Sequence, residues 1–90
     1  MASDDSRANF EYFSSEYAQA LQAYQTIENQ ASTLMLMGYS DDLRQFIEQF
    51  LEMAGRTRSL ALEKGETHFA EWFGELIDKA ESLRSGVSPR

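Results

Sequence analysis

FEYFSSEYAQALQAYQTIENQASTLMLMG, residues 10–38, carries the reading of the fold. Its apolar positions are Phe10, Phe13, Tyr17, Ala20, Tyr24, Ile27, Ala31 and Leu34, at alternating steps of 3 and 4. That spacing is a heptad stripe over about three and a half repeats, the pattern of a helix packed lengthwise against other helices. The opposite face is short of charge. Tyr12, Ser15, Gln19, Gln22, Gln25, Thr26, Asn29 and Ser32 point outward beside Glu11, and no Lys or Arg occurs between Ala8 and Leu43. A freely solvated helix face usually carries many charges, so this one is expected to make contact.

On the N-terminal side the chain is polar. Ser3 or Ser6 is expected to cap the first helix, and Asp4 and Asp5 suit its positive end. On the C-terminal side, Leu34, Met35, Leu36 and Met37 are apolar all round, so the last turn is expected to be covered on several sides. Gly38 is the natural stop, and Ser40 the next N-cap. A second stripe follows at Leu43, Phe46, Phe50, Met53, Thr57 and Leu60, widened by Ile47, Ala54 and Ala61. Gly55 lies inside it and marks a possible kink or break. Lys64, Gly65 and Glu66 read as a stop, and Thr67 as the third N-cap. The third stripe is Phe69, Trp72, Phe73, Leu76, Ala80 and Leu83. No segment alternates with period two, so no strand is expected.

The expected architecture is all-α, a three-helix antiparallel bundle with a long first helix, completed by dimerisation. It forms one domain over residues 1–90, with helices at about 5–37, 41–64 and 67–85 and a frayed tail at 86–90. The third helix is too short to cover the other two, and a second copy is the simplest cover.

Bulk composition excludes several classes. A chain of 90 residues with 42% hydrophobic content can form one small core. It has no Cys, hence no disulfide framework, thiol nucleophile or Cys-rich zinc site. No apolar run approaches 18 residues, and residues 1–5 lack a secretory pattern, so a cytoplasmic protein is expected. A formal net charge of −7 repels phosphate, which disfavours nucleic acid and anionic membranes as partners.

Chemical candidates are thin. His68, the single histidine, could share a helical face with Glu71 and Glu75, but this is not a di-iron spacing and reads as solvated surface. Glu48 with Glu52, and Glu71 with Glu75, are i,i+4 pairs along outer faces. Catalytic work needs carboxyls facing one another across a cleft. There is no phosphate-binding loop or nucleophile elbow. No catalytic residue, cofactor or metal is therefore expected. The candidate residues belong to an interface, with itself or a partner protein: Tyr12, Gln19, Gln22, Thr26, Met35, Leu36, Met37 and Tyr39.

Trp72-Phe73-Gly74 resembles the Trp-x-Gly motif of a family of small secreted helical proteins of about this length. There the motif occupies the turn of a helical hairpin near mid-chain. Here it covers three residues inside the third stripe, so nothing of fold or function is carried over. A long helix followed by two shorter ones also looks like the helical chorismate mutases, which are intertwined dimers. Those bind a dicarboxylate with Arg and Lys, some on the long helix. Here that helix holds only Arg7, so the likeness extends to architecture and not to the site. The expected function is a non-catalytic, self-associating adaptor or regulatory module. The alternatives are a small homodimeric enzyme with a site between subunits, or an acidic inhibitor of a basic protein.

Overall fold

The computed structural model describes residues 2–87, with side chains from Arg7 onward. Three helices fill almost all of it: α1 (Ala2–Leu36), α2 (Ser40–Glu63) and α3 (Thr67–Ser85). No strand occurs among the described residues. Phe10 and Phe13 meet the ring of Phe69, and Tyr17 meets Trp72 and Phe73, so α1 and α3 advance side by side. Tyr24 meets Phe50 on α2, which returns between them. The result is a rod of 54 × 17 × 15 Å. The long helix packs along its own α2 and α3, whereas an intertwined dimer would give those contacts to a second chain.

Both connections use one device. Gly38 and Gly65 have φ of +85° and +78°, a left-handed conformation that costs other residues about 1–2 kcal/mol. In the first turn the amide of Tyr39 donates to the Leu34 carbonyl at 2.8 Å and that of Gly38 to Met35 at 3.2 Å. In the second, Glu66 donates to Ala61 at 2.8 Å and Gly65 to Leu62 at 3.1 Å. These paired bonds satisfy carbonyls that a helix end leaves free. The turns are so tight that Tyr39 and Glu66 hold the N-cap positions, with no side-chain cap bond. Ser40 and Thr67 are the first helical residues instead of the expected caps. Ser3 and Ser6 likewise fall inside α1, which starts at Ala2; their side chains lie outside the described residues.

The core runs through Phe13, Ala20, Tyr24 and Ala31 on α1, Leu43, Ile47, Phe50, Ala54 and Ala61 on α2, and Phe69, Phe73, Leu76 and Ala80 on α3. Three residues expected on core stripes are exposed instead: Phe10 by 59%, Phe46 by 47% and Trp72 by 44%. Phe10 lies at the level where α3 begins, and Phe69 is the ring it reaches, 5.7 Å away. The displacement of Phe46 has a different cause. The closest pairing in the bundle is α2 with α3. Ala54, Ala61, Ala70 and Ala80 leave room for it, and a Cβ added at Gly74 would stand 3.4 Å from the Arg58 side chain. This draws the buried arc of α2 toward α3. Ile47, Ala54 and Ala61 move to its centre, and Phe46, Met53 and Leu60 move to its edge.

The C-terminal end also departs from expectation. Val87 is buried, and Arg44 donates to its carbonyl at 3.3 Å, so Gly86 and Val87 close the bundle. Of the expected frayed tail, residues 88–90 lie outside the described residues. Ala31 and Leu43 are buried at the same end. What α3 leaves open is a flank of the α1–α2 pair.

Helix α2 runs unbroken through Gly55, and nothing lies within 4 Å of a Cβ built there. Gly55→Ala is expected to stabilise the fold by about 1 kcal/mol, because alanine restricts the unfolded chain and favours helix. Gly38→Ala is expected to cost about as much, through its positive φ. Urea titrations of both variants check the pair, and a loss of stability at Gly55 would contradict the open space around it.

Candidate functional site

Among the described residues, no three His, Asp or Glu side chains lie close enough to hold a metal ion. His68, Glu71 and Glu75 are all exposed on α3. Glu48 and Glu52 are exposed on α2, and Glu52 makes an i,i+4 pair with Arg56 at 3.8 Å. An exposed pair of this kind contributes little. No buried side-chain nitrogen or oxygen among the described residues lacks a partner. Thr57, buried on α2, returns its hydroxyl to the Met53 carbonyl at 3.1 Å. Tyr24 donates to Glu28 at 3.2 Å. Burial, then the hydrogen bond and charge of Glu28, push its phenol above the usual tyrosine range.

The surface offers more than the interior. At the α1–α2 corner, Leu36 is 89% exposed, Met37 61% and Tyr39 47%. Three large apolar groups in four residues stand in water where the Gly38 turn reverses the chain, and among the described residues no other element passes over it. Met35 differs from its neighbours: it is half-buried and packs on the core. Tyr12, Gln19, Gln22 and Thr26 are exposed. Gln19 reaches back to the Ser15 hydroxyl at 3.3 Å, and Thr26 donates to the Gln22 carbonyl at 3.0 Å.

Helical geometry divides the candidates. Tyr12, Gln19 and Thr26 are spaced by seven and form one row on the flank of α1 nearest α2. Met37 falls one row over, with Ala23 and Gln30. Gln22 and Leu36 look away from both other helices, and Met35 turns toward α3. The structure thus gathers four of the eight on one flank. Beside that row a groove of about 450 Å³ opens between α1 and α2. Ala23, Ile27 and Phe50 form its floor, Phe46 and Met53 one wall, and Thr26, Gln30 and Gln49 the rim. None of these is charged. A second groove of about 610 Å³ lies between α1 and α3. Its rim holds Glu28, Asp78 and Lys79. Phe46 is the candidate on this groove that sequence reasoning passed over. The signal was the width of the α2 stripe, nine positions where one contact needs fewer.

Comparison with known protein families, curated proteins and solved structures finds no match to this chain. Among the described residues, no helix is long and apolar enough to cross a membrane.

Proposed function

We propose that this chain is a non-catalytic helical interaction module, an adaptor or regulatory protein of the cytoplasm that acts as a homodimer joined along α1. The observation that carries this reading is the exposed apolar corner of Leu36, Met37 and Tyr39 at the end of a long helix lacking basic residues past Arg7. Each such group left in water forgoes roughly 1.5–3 kcal/mol of burial, which a covering surface recovers. Three adjacent ones form the apolar centre that an interface uses. The absence of Cys accords with a reducing compartment. With a formal charge of −7, partners are sought among proteins, not among nucleic acids or anionic membranes.

Sedimentation equilibrium at micromolar concentration is the test. The expected mass is about twice the 10.3 kDa of one chain. A single species at the monomer mass across that range would overturn the reading.

A further inference from the structure

We propose that Met37 is a redox-sensitive site, at which a peroxide converts the thioether to the sulfoxide and so weakens the contact made by the corner of Leu36, Met37 and Tyr39. This rests on the self-association proposed above and adds its regulation.

The chain has no Cys, so methionine is the only residue that brings sulfur to it. Of the methionines, Met1 lies outside the described residues. Met35 and Met53 are half-buried and pack against the core. Met37 is 61% exposed. Its amide donates to the Thr33 carbonyl at 3.0 Å, so the residue is held at the end of α1 and is not carried on a loose loop. A peroxide must reach a sulfur lone pair to oxidise it, so Met37 reacts ahead of the two sheltered sulfurs. In that step the sulfur lone pair attacks one oxygen of hydrogen peroxide. The O–O bond breaks, an S–O bond forms, the sulfur is oxidised to the sulfoxide and the peroxide is reduced to water. The product is polar where the thioether was apolar. Met37 stands between Leu36, 89% exposed, and Tyr39, 47% exposed. Covering a sulfoxide there with an apolar surface would strip it of water without supplying a hydrogen bond, which is unfavourable. The fold is spared, because the sulfur that reacts first stands in water and those that support the core react last. The contact also protects its own site. A covered Met37 is shielded, so oxidation selects the free chain and holds it apart.

Limited treatment with hydrogen peroxide, at a dilution where the chain is monomeric, tests this. Peptide mass spectrometry is expected to find oxygen on Met37 before Met35 or Met53. The treated chain is expected to keep its helical circular-dichroism signal while sedimentation shows association weakened at least tenfold, and methionine sulfoxide reductase is expected to restore it. Met37→Leu, treated in the same way, is expected to associate as before, which removes Met1, Met35 and Met53 as the cause. Met37→Gln, polar without any oxidant, is expected to weaken association as the sulfoxide does. A sulfoxide on Met37 with association intact would overturn the proposal and leave the self-association standing. Equal weakening of treated Met37→Leu would also overturn it, by placing the effect in another methionine. A wild type that is monomeric before treatment would sink the self-association, and the regulation with it.

Discussion

Phe50→Ala should cost on the order of 3–5 kcal/mol, and Phe46→Ala, one turn earlier on the same helix, only about 1–1.5 kcal/mol. Phe50 is buried, with its ring 6.0 Å from that of Tyr24. Truncating it leaves a void between α1 and α2 that neighbouring rings cannot close. Phe46 is half in water already, so alanine there gives up half a side chain of burial and leaves an open notch instead of a cavity. A small domain holds about 5–15 kcal/mol in total, so the first change consumes much of the stability and the second little of it. Urea titration of both variants, at a dilution where the chain is monomeric, measures the difference. Equal costs would mean that the buried arc of α2 is not rotated toward α3.

Leu36→Asp should weaken association at least tenfold, about 1.4 kcal/mol, while the chain stays helical. Leu36 is the most exposed of the large apolar residues, so the monomer loses almost no packing with it. A carboxylate at the last residue of α1 does oppose the negative end of the helix, at about 0.3–1 kcal/mol. Leu36→Lys removes that complication, since a cation favours the same position yet is equally unwelcome in an apolar contact. Both variants weakening association would place Leu36 in the interface. Unfolding by both would put the corner in the monomer's own core, and no effect from either would make it idle surface.

The helices themselves were legible because their signals are local. Heptad spacing over residues 10–34 and glycines at 38 and 65 require no knowledge of partners, and α1, α2 and α3 begin and end within a few residues of where these place them. The rotation of α2 was not legible. It depends on how closely α3 approaches, which is set by Gly74 and small residues scattered over both helices. The burial of Val87 depends on Arg44, 43 positions earlier, and is equally invisible along the chain. The caps misled for a geometric reason: a turn closed by a left-handed glycine hands the N-cap position to the residue after it, whatever that residue is. At the candidate site, the exposed corner follows from four apolar residues in a row, more than one helix face can bury. The grouping of Tyr12 and Thr26 with Phe46 needed the relative rotation of two helices, and no single stretch contains it.

The rod has an energetic side as well as a shape. Its radius of gyration is 15.1 Å, where a compact chain of this length would have about 12 Å. Its accessible surface is 6153 Å², about 800 Å² more than a compact protein of 10.3 kDa presents. A lone copy therefore withdraws less of itself from water than its length permits, and the deficit is close to what one partner contributes to an ordinary interface. Pairing would bring each chain back to the surface of a compact domain. Fold stability and concentration would then be linked, and the melting temperature would rise as the chain is concentrated.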